Sequence, residues 1–133
     1  MTSNHTRGLI LFAHGARDPR WAAPFEAVAA RLRSQHPAVA VRLAYLEFMA
    51  PSLGDAGAQL AAEGCAAVAV LPMFLGAGGH VRKYLPLLLD AMRAAHPAVA
   101  FTLHAAIGEI DSVVAAMADA AAALLLPQDA PAA

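Results

Sequence analysis

Gly8-Leu9-Ile10-Leu11-Phe12-Ala13-His14-Gly15-Ala16-Arg17-Asp18-Pro19 is a short apolar run that stops abruptly at a histidine, a glycine and a charged turn. A run of this length bounded by turn residues reads as a buried strand rather than a helix. The pattern returns in Val68-Ala69-Val70-Leu71-Pro72-Met73-Phe74-Leu75-Gly76-Ala77-Gly78-Gly79-His80, which also ends in a histidine. Working outward, the apolar runs fall at about Gly8 to Ala13, Val39 to Leu46, Ala66 to Leu71 and Val99 to His104. Helical spacing fills the intervals. Trp21, Phe25, Val28 and Leu32 mark one face, and Val81, Leu85, Leu88 and Met92 repeat it. A shorter helix starts at Ser52, with Asp55 as capping-box partner, presents Leu53, Ala56 and Leu60, and stops at Gly64. A last helix carries Ile110, Val113, Val114, Met117 and Leu124. Strand and helix alternating in this way predict an α/β fold: a single doubly wound domain with a four-stranded parallel sheet of order 2-1-3-4 and helices on both faces. The expected domain spans residues 8–126, between a flexible N-terminus (1–7) and a disordered tail (127–133).

An internal echo supports this reading. Arg33-Ser34-Gln35-His36-Pro37-Ala38-Val39-Ala40 recurs as Arg93-Ala94-Ala95-His96-Pro97-Ala98-Val99-Ala100, and the helix faces before each copy share one register. Two helix-to-strand connections therefore use the same solution, in which proline ends the helix and turns the chain into a strand. His36 and His96 are then turn residues at the end of the sheet away from the crevice.

Composition narrows the function classes. A formal net charge of −1 argues against a general nucleic-acid binder. The hydrophobic fraction of 59% is inflated by alanine, and the longest uncharged stretch, Gly64 to Gly79, is broken by Pro72 and glycines, so no membrane span is expected. One cysteine, Cys65, excludes an internal disulfide and a thiolate metal cage. With no signal-type apolar core near Met1, the chain reads as cytoplasmic.

Chemistry concentrates where the strands end. In an open parallel sheet the ligand crevice lies beyond the carboxyl ends of the strands, at the point where strand order reverses. Here that point falls between strands one and three, so His14 and His80 occupy opposite lips of one crevice, with Glu47 after strand two at the same end. Two imidazoles and a carboxylate suit a borderline divalent metal or a proton-transfer task. Arg17, Arg20, Arg82 and Lys83 cluster beside the histidines, either as solvated surface or as a rim that attracts an anion. Leu75-Gly76-Ala77-Gly78-Gly79-His80 is neither Gly-x-x-x-x-Gly-Lys-Ser/Thr nor a clean Gly-x-Gly-x-x-Gly. It fits a backbone platform under a flat, bulky ligand as well as it fits a phosphate loop. A histidine phosphatase needs arginine where Ala13 stands, and no Gly-x-Ser-x-Gly elbow is present for a serine hydrolase.

Taken together, His14-Gly15-Ala16-Arg17-Asp18-Pro19, Tyr45-Leu46-Glu47 and Pro72 through His80 resemble the short-form sirohydrochlorin chelatases, the small members of the anaerobic-type cobaltochelatase and sirohydrochlorin ferrochelatase family. The resemblance runs from about Gly8 through the last helix. It departs at Ala16, where serine is usual, at Tyr84, where an acidic residue is common, and at Ile107-Gly108-Glu109-Ile110-Asp111, where a glycine-rich turn with His-Pro is usual.

The resemblance implies a metal chelatase of chelatase-like half-domain fold, inserting Co²⁺, Fe²⁺ or Ni²⁺ into sirohydrochlorin. It implies His14 as metal ligand and proton acceptor and His80 as second metal ligand. Glu47 and Leu75, Gly76, Ala77, Gly78, Gly79 and His80 would contact the tetrapyrrole, and Arg17 and Arg82 its carboxylates. The metal is a substrate, and no cofactor is permanently held. Because larger chelatases contain two such half-domains, a homodimer is implied. The alternative is a metal or tetrapyrrole carrier that uses the same site without catalysis. His104, after the last strand, reads as a surface histidine on an edge.

Overall fold

The computed structural model of the chain describes residues 6–76 and 78–125. Strand β1 (Arg7–Ala13) leads through a 3-10 turn (Pro19–Ala22) into helix α1 (Ala23–Gln35). Strand β2 (Val39–Tyr45), helix α2 (Leu53–Ala62), strand β3 (Ala67–Pro72), helix α3 (Gly79–Ala95) and strand β4 (Ala100–Leu103) follow. A second 3-10 turn (Ile107–Glu109) precedes helix α4 (Asp111–Ala123). The sheet is parallel throughout, in the order β2-β1-β3-β4, as the alternation of elements predicts. β1 begins at Arg7, which pairs with Val39 on one side and Ala67 on the other. Residues 1–5 and the expected tail at 127–133 lie outside the described part. No helix among the described residues is long and apolar enough to cross a membrane.

Side-chain alternation divides the core between the two faces of the sheet. Ile10, Phe12, Val68, Val70 and Phe101 point to the face covered by α2 and α3. There they meet Leu53, Ala56 and Leu60 of α2 and Leu85, Leu89 and Met92 of α3, all buried. Full burial of each large aliphatic side chain stabilises the fold by about 1.5–3 kcal/mol. Leu89, which lies off the expected stripe, is the most buried residue of α3 that the contacts involve, so the helix face is wider than its spacing suggests. The start of α2 is as expected: the Ser52 hydroxyl accepts the Asp55 N–H at 3.1 Å.

The opposite face carries Leu11 and Val41 against α1. Only Ala29 of α1 is fully buried, since alanine lets the helix axis come close to the strands. Phe25 and Leu32 are partly buried beside it, whereas Val28, expected on the same buried face, is 39% exposed. The two echoed connections are the same turn in three dimensions. The His36 N–H donates to Leu32 O at 2.8 Å and the His96 N–H to Met92 O at 2.9 Å. The backbone angles are φ −133°, ψ 66° at His36 and φ −133°, ψ 70° at His96.

Helix α4 departs from expectation. Among the apolar residues it carries, Ile110, Val114 and Met117 are not buried, and Val113 is only half-buried. The cause lies in the preceding turn. The Gly108 N–H donates to Phe74 O at 3.0 Å, and Arg82 pairs with Glu109 at 3.4 Å, which ties this turn to the corner after β3. α4 starts at Asp111 and packs mainly on that turn.

Candidate functional site

The end of β1 is held on both sides. The ladder to β2 continues beyond the strands, with the Leu46 N–H donating to Ala13 O at 2.9 Å and the Glu47 N–H to His14 O at 3.0 Å. Glu47 thereby comes beside His14, as expected. Gly15 has φ +87°, and a Cβ there would fall 1.9 Å from Glu47 O, so only glycine lets the β1 loop pass this closely. On the other side the Met73 N–H donates to Phe12 O at 2.7 Å and carries the strand alignment to Phe74.

His14 is exposed, and its imidazole lies against the Phe74 ring with centroids 4.5 Å apart. Phe74 is itself buried and meets Phe12 edge-on at 5.9 Å. The histidine thus rests on a fixed aromatic shelf while its nitrogens remain open to a ligand. Sequence spacing alone did not single out Phe74. The available signal was an aromatic two residues beyond the last strand position.

The charged rim sorts itself by partner. Asp18 accepts from the Arg20 guanidinium at 2.8 Å and from its backbone N–H at 2.9 Å, and this pairing holds the exposed carboxyl below its ordinary range. Arg17 therefore pairs with neither Asp18 nor Glu47. Its guanidinium lies 4.7 Å from the centroid of the Phe48 ring. Phe48 is 56% exposed at φ +68°, a left-handed conformation that costs energy for an aromatic residue. Arg82 pairs with Glu109, as described above, and Lys83 is exposed.

His80 is the second residue of α3, at the same end of the sheet as His14 and Glu47. Its side chain, and Ala77 as a whole, lie outside the described part of the structure. No cluster of three or more histidine, cysteine or acidic side chains suited to a metal occurs among the described residues. The set that the structure itself brings together is His14, Phe74, Glu47 and the Arg17–Phe48 pair.

The glycines between β3 and α3 have an informative environment. A Cβ added at Gly76, Gly78 or Gly79 would meet no atom within 4 Å, and none of the three has a left-handed φ. Neither packing nor backbone conformation demands glycine there. Leu75, just before them, is 72% exposed. Beyond β1 and β2, a cleft of about 280 Å³ is lined by residues including Tyr84, Tyr45 and Leu88. His104 is exposed at the end of the edge strand β4, as expected.

A sequence model of the CbiX family matches residues 8–124. The sirohydrochlorin cobaltochelatase of Methanosarcina acetivorans is 30% identical over 83 residues, which cover 62% of this chain and 64% of that protein. The chain thus spans somewhat less than two thirds of the length of the curated relatives it first matches. Among solved structures, a CbiX protein from Marinobacter aquaeolei VT8, named for cobalamin (vitamin B12) biosynthesis, superposes with a TM-score of 0.79. It is 31% identical, with 90% of this chain and 97% of that one covered. The sirohydrochlorin chelatase SirB from Bacillus subtilis subspecies spizizenii, solved in complex with cobalt, shares the fold at a TM-score of 0.73 and 18% identity. There the match covers 86% of this chain and 49% of SirB.

Proposed function

Because the chain belongs to the CbiX family, we propose that it inserts a divalent metal, Co²⁺ or Fe²⁺ and also Ni²⁺ where that ion is supplied, into sirohydrochlorin. The observation that carries this reading is the glycine platform. Gly76, Gly78 and Gly79 leave open space that the fold does not need, directly after the aromatic shelf on which His14 rests. A flat macrocycle gains contact area from a surface without side chains, whereas a compact phosphate would gain from convergent backbone donors instead.

Insertion removes two protons from the inner pyrrole nitrogens and exchanges the metal's water shell for ring nitrogens. An exposed imidazole serves both steps: its neutral nitrogen binds a borderline divalent ion, and when free it can accept a proton. In this proposal His14 is the first metal ligand and proton acceptor, His80 the second ligand, and Glu47 a carboxylate beside them. Phe74 backs the imidazole with its ring. Sirohydrochlorin carries many carboxylates, and Arg17, Arg20, Arg82 and Lys83 supply the matching charge. The ion pairs of Arg20 and Arg82 are solvent-exposed and therefore weak, so substrate carboxylates compete for them readily. SirB holds a fold of this size in about half its length, which supports a working unit of two copies here. The single cysteine, Cys65, buried as a free thiol, accords with a reducing compartment such as the cytoplasm.

The test is an absorbance assay of metal insertion with sirohydrochlorin and Co²⁺. His14→Ala should lower turnover by about 10²–10⁴-fold, the range expected for loss of a general base, with an unchanged circular dichroism spectrum. Near-normal turnover in that variant removes His14 from the mechanism. Stoichiometric binding by the wild type without faster insertion would identify a carrier. Gly76→Val, at a site where a Cβ meets nothing, should raise KM for the tetrapyrrole several-fold and leave thermal stability unchanged. An unaltered KM would sink the platform.

A further inference from the structure

The chain reverses sharply after Glu47. The Met49 N–H donates to Glu47 O at 2.8 Å, closing a three-residue turn with Phe48 at its centre. Phe48 has φ +68°, which belongs to the rare and strained form of that turn. Three contacts hold the turn in place. Gly15 lies against the Glu47 carbonyl, the Tyr45 N–H donates to Pro51 O at 2.9 Å, and Met49 packs against the cluster of Ala13, Ala22 and Tyr45. Met49 is therefore drawn inward, and Phe48 is left facing outward, more than half exposed.

A left-handed backbone position is relaxed for glycine and tolerated by asparagine, and it is unfavourable for an aromatic residue. A ring that stands largely in water also adds little to the core, so packing does not account for it. What the ring does meet is Arg17, whose guanidinium lies over it at 4.7 Å from the centroid. Arg20 occupies Asp18 through both its backbone and its side chain, so no carboxylate among the described residues holds Arg17. An aromatic face attracts the cation without competing as a carboxylate would, and the guanidinium fork stays available to an incoming acid. Strand order sets the place. The pair sits on the loops after β1 and β2, beside His14, while Leu75 and the glycines follow β3 on the other side.

We propose that Phe48 is a positioning residue that acts through Arg17. Its ring holds the guanidinium at the β2 edge of the crevice, where it takes one peripheral carboxylate of the macrocycle. Charge then fixes the flat ligand at one edge while its face lies over the glycines. A macrocycle without an acid at that edge is selected against. Strain of this kind collects where a site needs a particular side chain, and glycine, the relaxed choice, has no ring. The inference deepens the reading at His14 and rests on it.

The test uses the full chain with Phe48→Gly, Phe48→Asn, Phe48→Tyr and Arg17→Met, and the double variant of Phe48→Gly with Arg17→Met. Sirohydrochlorin binding is titrated by absorbance without metal, and insertion is followed with Co²⁺. Phe48→Gly and Phe48→Asn should each raise the Kd about three- to tenfold, the range of one cation–π contact. KM should rise by the same factor while kcat falls by less. The thermal midpoint of Phe48→Gly should equal or exceed that of the wild type, because glycine takes φ +68° freely. Phe48→Tyr keeps the ring and should bind as the wild type does. Arg17→Met should weaken binding and flatten its salt dependence, and its effect should shrink once Phe48 is glycine. A wild-type Kd in Phe48→Gly and Phe48→Asn, an undiminished Arg17→Met effect in the double variant, or a lowered midpoint in Phe48→Gly overturns the positioning role. A wild type that does not bind sirohydrochlorin overturns the reading at His14 as well, whereas normal insertion by the wild type beside unchanged variants overturns this inference alone.

Discussion

The units α1–β2 and α3–β4 begin from nearly the same eight-residue connection and make the same turn, yet their helices sit in different surroundings. In both, the arginine before the turn reaches across to the following strand: Arg33 donates to Val41 O at 2.9 Å, and Arg93 to Phe101 O at 2.9 Å. Both helices end on a histidine whose N–H closes the last turn. Beyond the turn the likeness ends. α3 presses Leu85, Leu89 and Met92 into a core shared with α2, whereas α1 has Ala29 fully buried and an open trough along its flank. A turn is made by a few adjacent residues and travels with its sequence. Coverage of a face depends on what comes to lie beside it, and among the described residues α1 leaves part of its flank open.

The largest expected effect separates the two units directly. Leu89→Ala should cost about 2–5 kcal/mol, the range for emptying a packed aliphatic site, read as a shift of the denaturant midpoint at constant slope. Leu32→Ala, at the half-covered flank of α1, should cost well under half of that at low protein concentration. Equal costs for the two leucines at every concentration would show that the α1 face is as well packed as the α3 face.

Legibility in the sequence follows the same division. Apolar runs set between turn residues gave strand positions within one or two residues, and the alternation of elements led to the order β2-β1-β3-β4. The crevice positions of His14 and Glu47 followed from that order. Four things did not follow. Leu89 lay off the counted stripe because two elements, α2 and the sheet, approach α3 from different directions. Arg17 chose the Phe48 ring because Arg20 reaches Asp18 through both its backbone and its side chain, a local competition that charge counting does not resolve. The path of α4 depends on Gly108 meeting the backbone after β3, a contact between segments more than thirty positions apart. Phe74 was visible only as one more apolar residue, since its role comes from the imidazole laid upon it.

The smallest effect bears on the half of the comparison where the units agree. Arg33→Met and Arg93→Met each remove a charged donor from a strand carbonyl while keeping most of the aliphatic stem. Each should cost about 1–2 kcal/mol, between the usual values for neutral and charged hydrogen bonds. Arg93 donates twice to Phe101 O and also to Asp90, whereas Arg33 makes the one bond to Val41 O, so the Arg93 cost should be the greater by a few tenths. The Asp90 contact adds little, because that carboxylate is exposed. Chemical denaturation of both variants at one low protein concentration measures the difference without involving the trough. A gap wider than about 1 kcal/mol, well outside the spread of single hydrogen bonds, would mean that the surroundings of each helix reach into the turn itself. A gap within that bound leaves the connection as a self-contained device, used once under a covered helix and once under a helix with an open flank.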